Sequence, residues 1–160
     1  VSPTLANRFL NVALQAMEPH LLGRGLQVVD FQKDSLSVWI PAQRRNQRWP
    51  GEVSLGVVVA AAEWMLSLVW ATHLHPRLGR LRIAAAHTDS EPLTTDVMIS
   101  FQLSDFEAEK ILFEARSQSR CSSVATFLLR SQKGRKLGVV QIDYELLGER
   151  CLPLGRNAPG

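Results

Sequence analysis

The stretch that decides the fold runs from Leu55 to Leu74 and reads LGVVVAAAEWMLSLVWATHL. It is apolar on nearly every helical face, and Pro76 marks its end because proline cannot continue a helix. The sequence therefore predicts one long helix that begins near Val53 or Ser54 and ends at His75. A helix that is apolar all round has to be enclosed, either by other elements of the protein or by lipid.

The length of this run is close to that of a membrane span. Glu63 lies near its middle and Ser67 follows one turn later, and an ionised carboxylate at the centre of a bilayer is costly. The sequence contains no second run of this kind, and the neighbouring segments have the pattern of soluble strands. We therefore interpret the run as the buried central helix of a soluble domain, with no membrane span.

Alternating apolar residues predict strands on both sides of this helix. Two hairpins are expected at residues 26–40 and 124–147, each with a polar turn, and two further strands at residues 81–86 and 93–103. Ser104 and Glu107 form a capping-box pattern, which predicts a second helix over residues 105–117. The same residues also alternate as a strand would, so both assignments remain open.

One enclosed helix and about six strands, mostly joined as hairpins, predict an α+β layer fold. We expect a single domain over residues 1–147, with an N-terminal helix at 3–17, a core at 26–147 and a loosely ordered tail at 148–160. The chain has 160 residues, 46% apolar and 21% charged, which suits one globular domain.

The net charge of +3 is mild, and aromatic residues do not interleave with the basic ones. This pattern argues against nucleic acid as a partner. The two cysteines, Cys121 and Cys151, allow one disulfide. Because no secretory leader is visible at Val1, we interpret both as free thiols of a cytoplasmic protein.

Four short motifs within residues 26–147 carry a family resemblance. They are the loop Arg45-Asn46-Gln47-Arg48 before Gly51, the helix start Ser54-Leu55-Gly56-Val57, the acid in Ala61-Ala62-Glu63-Trp64, and the turn Lys133-Gly134-Arg135-Lys136. Their order and spacing resemble the acyl-CoA thioesterase-like proteins of the hotdog fold, in an uncharacterised bacterial branch related to the phenylacetate-pathway thioesterases. In that fold an antiparallel sheet wraps one long central helix.

The resemblance implies a homodimer, or a dimer of dimers, in which two sheets join edge to edge and acyl-CoA binds at the subunit boundary. It implies hydrolysis of the thioester with no metal and no organic cofactor. By position, Glu63 is similar to the helix acid that acts as general base or nucleophile. Gly56, with Val57 beside it, matches the helix-start amide that polarises the thioester carbonyl, and Ser67 matches a hydroxyl that positions the attacking water.

The sequence also departs from this family. Arg48-Trp49 stands where many relatives have an Asn-His pair, and Ser54-Leu55 replaces the first two residues of a His-Gly-Gly motif. Leu55 is expected to narrow the approach of the thioester carbonyl to the helix amides. The departures favour an alternative function, a hotdog module that binds acyl-CoA or an acyl ligand without hydrolysing it.

Each proposed site residue also has a structural explanation. A carboxylate in a buried apolar helix loses hydration, which favours acid–base work by Glu63, but Glu63 could equally pair with an arginine or lie at the dimer edge. Ser67 could hydrogen-bond back to its own helix. Gly56 could serve close packing of the helix on the sheet.

The arginines of the loop before the helix, Arg44, Arg45 and Arg48, could hold the phosphates of coenzyme A, since guanidinium pairs bidentately with phosphate. A solvated loop is the alternative. The pairs His73/His75 and His87/Asp89 have a spacing that metal ions can use, but histidines at a helix end are well explained by the helix dipole, so no metal is predicted. Trp64 and Trp70 face different sides of the helix and are expected in the core or at a dimer interface.

Overall fold

The structure, a computed structural model, describes residues 23–73 and 80–148. The predicted N-terminal helix at 3–17, the predicted end of the long helix at His75 and most of the predicted tail at 148–160 lie outside these residues.

Ten regular elements and one short 3-10 helix follow one another along the described chain. They are β1 (Gln27–Phe31), β2 (Ser35–Ile40), the 3-10 helix Arg44–Asn46, β3 (Gln47–Trp49), β4 (Glu52–Val53), α1 (Leu55–His73), β5 (Arg80–Ser90), β6 (Val97–Gln102), α2 (Asp105–Gln118), β7 (Arg120–Ser131) and β8 (Lys136–Leu147).

Six of the strands form one antiparallel sheet in the order β1-β2-β6-β7-β8-β5. The short strands β3 and β4 pair separately as a two-stranded ribbon. The inward side chains of β8 are buried as their alternation predicts, at Val140, Ile142, Tyr144 and Leu146. The predicted fold class, one long helix against an antiparallel sheet of about six strands, is confirmed.

Helix α1 lies across the inner face of this sheet and is continuous, as predicted. Its large side chains are enclosed, with Met65, Leu66 and Val69 each 0% exposed. By length and composition it could cross a membrane, yet half of its apolar window is buried inside the fold. The long apolar run is thus largely accounted for by the core of the domain.

One side of α1 is nevertheless uncovered in the single chain. Gly56, Ser67 and Ala71 are exposed, and Ala60 and Glu63 are half-buried. These five residues recur at helical spacing and form what we call the open stripe. The expectation that the helix is enclosed on all sides is wrong for this stripe, because a sheet can cover only the side of the helix that faces it.

The segment at residues 105–117 is a helix, as its capping box predicts. The Ser104 hydroxyl accepts a hydrogen bond from the amide of Glu107 at 3.2 Å, and the Glu107 carboxylate accepts one from the amide of Ser104 at 3.3 Å. Ser119 ends the helix with a left-handed φ of 65°. Of the alternating apolar residues, Ala115 is buried and Ile111 is partly buried, whereas Phe113 is 72% exposed, so the local cap decides between the two patterns.

Three strand boundaries differ from those predicted. β5 extends to Ser90 and β7 starts at Arg120, because each pairs with β8 along its whole length. β6 begins only at Val97, since the residues before it form a turn after Pro92. Polar residues at the ends of β5 and β7 interrupt the alternation of apolar and polar residues that predicts a strand. Pairing with β8, rather than sequence periodicity, therefore sets these ends.

Candidate functional site

Asn46 holds the loop that leads into α1. It is 0% exposed, and its side-chain amide donates hydrogen bonds to the carbonyls of Arg24 at 2.7 Å and Pro41 at 2.8 Å. Its own carbonyl accepts from the amide of Ser54 at 2.6 Å. The side chain and the backbone carbonyl of Asn46 together therefore fix the chain before β1, the end of β2 and the residue before α1 against each other.

A cleft of about 350 Å³ opens at the start of α1, and we call it the arginine cleft. It is lined by residues of the loop and the first turns of the helix: Arg24, Arg45, Gln47, Arg48, Ser54, Gly56, Val57 and Ala60. The structure thus brings together Arg45, Arg48, Gly56 and Val57, four of the residues singled out in the sequence. Arg44 does not line the cleft, although it precedes Arg45 directly.

Arg24 is a cleft residue that the sequence patterns did not reveal. It lies between Gly23 and Gly25, whose φ values of 72° and 69° are in the left-handed region that favours glycine. A side chain at Gly25 would collide with the Gln43 amide. The sequence signal for this arrangement is Gly-Arg-Gly, because two glycines that flank one residue allow a sharp bend in the backbone. Here the bend places the arginine beside the start of α1.

The charge of the arginine cleft is positive. Among the described residues, its lining contains three arginines and no carboxylate. Arg24 donates to the carbonyl of Arg45 at 2.6 Å, and Arg45 donates to the carbonyl of Gly23 at 3.2 Å, so the two arginines brace each other through backbone oxygens. Guanidinium groups braced in this way are suited to an anionic ligand.

The first turn of α1 places the backbone amides of Gly56 and Val57 at the same cleft. The amide of Val57 donates to the carbonyl of Ser54 at 3.1 Å, so it is used within the helix start. The amide of Gly56 has no acceptor among the described residues. An unpaired amide at a helix N-terminus attracts negative charge, and Gly56 carries no side chain to block it.

Glu63 and Ser67 lie further along the open stripe and outside the lining of the arginine cleft. Glu63 follows Ala60 by three residues, hence on the same side of the helix, about 4.5 Å further along its axis. It is half-buried, and no described residue donates a hydrogen bond to its carboxylate. The Ser67 hydroxyl donates to the backbone carbonyl of Glu63 at 3.0 Å, so only its lone pairs remain for a water molecule.

The other residues weighed in the sequence lie elsewhere. Trp64 and Trp70 are buried in the core, as predicted. His73 faces Asp105 at the far end of α1 with 3.8 Å between ring nitrogen and carboxylate oxygen, and His87 pairs with Asp143 at 3.2 Å on the sheet. Leu55 is 42% exposed and does not line the arginine cleft, so it does not narrow that cleft.

Replacing Gly56 by alanine should leave the free energy of unfolding unchanged or raise it by up to about 1 kcal/mol, because alanine is the better helix former. The new Cβ would meet only the Ser54 hydroxyl, at 3.4 Å, so there is no packing constraint. Gly138→Ala is the control, since its Cβ would collide with the backbone of β5 and should lower stability. Urea unfolding of both variants checks this, and a clear loss at Gly56 would mean that the glycine serves packing.

No protein-family model matches the chain, and no curated protein matches its sequence. Solved structures do match it in shape. A protein of unknown function from Pseudomonas aeruginosa, named a probable thioesterase, is 16% identical with a TM-score of 0.77, covering 91% of this chain and 96% of its own. A thioesterase from Haemophilus influenzae is 17% identical with a TM-score of 0.66, covering 96% of both chains. A mutant thioesterase from Pseudomonas aeruginosa is 14% identical with a TM-score of 0.66, covering 92% of this chain and 97% of its own. At these identities the likeness shows the fold, and this chain has the hotdog fold.

Proposed function

We propose that this protein is an acyl-CoA thioesterase whose site runs from the arginine cleft along the open stripe of α1. The observation that carries the proposal is the order of groups along one side of one helix. Positive side chains come first, then the unpaired amide of Gly56, then the carboxylate of Glu63 with no described partner. This order corresponds to the parts of a coenzyme A thioester, which has phosphates at one end and a thioester at the other.

The arginine cleft would hold the phosphates of coenzyme A. Arg45 and Arg48 offer planar guanidinium groups at its wall, and no carboxylate among the described lining residues competes with the ligand. Arg24 would add a third positive charge to the same cleft. The pantetheine arm would then lead from the arginines to the start of the open stripe, so that the thioester lies beside Gly56 and Ala60, whose small size leaves room for it.

The reaction needs a polarised carbonyl and an activated water. The amide of Gly56 would donate to the thioester oxygen, where negative charge develops as the carbonyl becomes tetrahedral. Glu63 would take a proton from the water while the water oxygen attacks the carbonyl carbon. The carbon–sulfur bond then breaks, and the proton passes to the sulfur of coenzyme A. Ser67 can accept a hydrogen bond from the water, which helps to orient it.

The acyl group would be a medium-to-long or aromatic chain that lies beside α1. The likeness to solved thioesterases supports this choice of reaction over others that the fold can host. No metal or organic cofactor is needed by this scheme, because the groups named supply both the base and the carbonyl donor. We also propose a cytoplasmic location, since Cys121 is a free buried thiol, which is typical of a reducing compartment.

Glu63→Gln should lower the rate of thioester hydrolysis by about 10²–10⁴, the usual contribution of a general base. Binding of acyl-CoA and the melting temperature should stay nearly unchanged, because the two side chains are almost isosteric. Release of free thiol from a panel of acyl-CoAs measures the rate. Glu52→Gln, a change of the same kind just before α1, is the matched control and should keep full activity.

A fully active and stable Glu63→Gln protein would rule out the catalytic assignment. A variant that melts early would instead indicate that Glu63 is paired in the folded protein. If the unmodified protein binds acyl-CoA saturably without releasing thiol, the alternative function of a non-hydrolytic acyl-CoA binding module is supported. The hydrogen bond from Ser67 to the helix backbone is the observation that favours this alternative, because it occupies the hydroxyl proton.

Arg48→Ala should raise the KM for acyl-CoA by about tenfold or more, the cost of losing a hydrogen bond to a charged group. The same variant should hydrolyse the matching acyl-pantetheine thioester like the unmodified protein, because that substrate lacks the nucleotide phosphates. Arg44→Ala is the control, since Arg44 belongs to the same loop but not to the cleft lining. Equal effects of both variants, or an equal effect on both substrates, would contradict phosphate binding at this cleft.

We further propose that two copies pair through β5 to form a dimer. Both edges of the sheet need cover, because a free strand edge invites pairing. β1 is five residues long, whereas β5 has eleven residues, with the small side chains of Ala84, Ala85 and Ala86 at its centre. A partner on β5 would also lie beside the open stripe of α1, where it could complete the site.

Light scattering should give a mass of about twice 17.8 kDa at micromolar concentration. Ala86→Lys should shift the protein toward the monomer, because it places a charge on the proposed interface. Val29→Lys makes the same change on the opposite edge strand and should leave the dimer intact. A monomer at all concentrations, or dissociation by Val29→Lys alone, would contradict pairing through β5.

A further inference from the structure

The sheet is split between two of its central strands. β6 pairs with β7 only where Val97–Ser100 faces Leu128–Ser131. β7 nevertheless continues back to Arg120, paired with β8 on its other side. Within the part of the chain that the structure describes, residues 120–127 of β7 therefore have a strand neighbour on one side only. Helix α2 connects the two strands across this split and packs on β7.

The split opens a cleft of about 410 Å³, which we call the split cleft. Its floor is apolar, formed by Phe101, Ala125 and the ring of Tyr144, all nearly fully buried. Lys110 and Glu114 of α2 stand on its wall. This volume is within the range of small-ligand sites. None of its lining residues lines the arginine cleft, so the two clefts are separate.

Glu114 gives the split cleft a carboxylate with spare acceptor capacity. Its one described hydrogen bond comes from the thiol of Cys121, at 3.1 Å. Burial, and then this hydrogen bond and the carboxylate charge, raise the pKa of Cys121 to about 11, so the thiol keeps its proton at neutral pH. A thiol is a weak donor, and an ionised carboxylate can accept about four hydrogen bonds. Glu114 can therefore accept a further, stronger donor from a ligand.

The free side of β7 indicates what kind of ligand the cleft would take. Its backbone N–H and C=O groups face the split without a strand partner, and the groups that satisfy such an edge best are those of another extended backbone. Ser122, Val124 and Thr126 are exposed along it, and they alternate with inward residues as a strand does. A ligand that has only an amine and an alkyl chain would leave this edge unpaired.

We propose that the split cleft binds a short extended peptide. The peptide backbone pairs with the free edge of β7 at residues 122–126, one apolar side chain packs on Phe101 and Ala125, and a primary amine meets Glu114. The amine is either the N-terminus of the peptide or a lysine side chain, since both offer the same ammonium group. This binding is independent of thioester hydrolysis at the open stripe.

The test uses three tripeptide amides on the full chain, followed by two-dimensional NMR of the backbone amides. They are Leu-Val-Ala-amide, its N-acetylated form, and acetyl-Lys-Val-Ala-amide. We expect shifts at residues 101–103 and 122–126 and none around Gly56. If the N-terminus is the amine that meets Glu114, acetylation should weaken binding by about tenfold. This is the loss in affinity expected from removing one charge-assisted hydrogen bond. If lysine is the amine, the acetyl-lysyl peptide should bind tightest.

Glu114→Gln should weaken the preferred peptide by about tenfold. Glu109→Gln removes the same charge from the same helix outside the cleft lining, and should change nothing. Ala125→Leu should fill the floor and abolish binding. If that variant does not fold, Val124→Lys serves instead, because Val124 is 56% exposed and a lysine there repels the amine.

Absence of shifts along β7 with all three peptides overturns the proposal. Equal affinity of the three peptides, or an equal effect of Glu114→Gln and Glu109→Gln, overturns the role of the amine and with it the proposed ligand class. Because the readout is binding at β7, failure here leaves the thioesterase proposal standing, and loss of hydrolysis in Glu63→Gln leaves this one standing.

Discussion

The structure depends on the burial of one helix against one face of one sheet. Burying a large apolar side chain stabilises the fold by about 1.5–3 kcal/mol, and α1 buries seven such side chains, among them both tryptophans of the helix. The sheet can reach only the side of α1 that faces it. The sheet therefore leaves the opposite side of the helix, the open stripe, without cover. The residues on that side are glycine, alanine, serine and one glutamate.

This constraint also explains where a reaction could take place. The core fixes α1 along its length, and Asn46 fixes its first turn by tying three backbone segments together. A rigid helix start next to an uncovered helix side can hold a carbonyl and a carboxylate in a constant relation to each other. Preorganisation of this kind is what electrostatic catalysis requires. The same uncovered side needs a cover in solution, which is why the site and the proposed dimer are linked.

The sequence could predict the elements whose signals are local. The apolar run ended by Pro76, the alternation in β8 and the capping box at Ser104 each specify an element from neighbouring residues alone. The ends of β5 and β7 could not be predicted, because they are set by pairing with β8. At the site, Glu63 and Gly56 could be singled out from their place in the helix. At Arg24 the Gly-Arg-Gly sequence marks a bend, but it does not show that the arginine lies beside the helix start, because that depends on the positive φ of both glycines.

The capping box has a consequence beyond α2 itself. Residues 105–117 alternate well enough for a strand, and a strand there would continue β6 directly into a hairpin with β7. The two hydrogen bonds between Ser104 and Glu107 favour the helix instead, by about 0.5–2 kcal/mol for a cap of this type. A helix advances only about 1.5 Å per residue and occupies more width than a strand, so β6 and β7 have to diverge to accommodate it. The free edge of β7 and the split cleft thus result from the helix cap at Ser104. The arginine cleft results instead from the burial of α1. Two separate surfaces arise from two independent features of the sequence, so either can be altered without loss of the other.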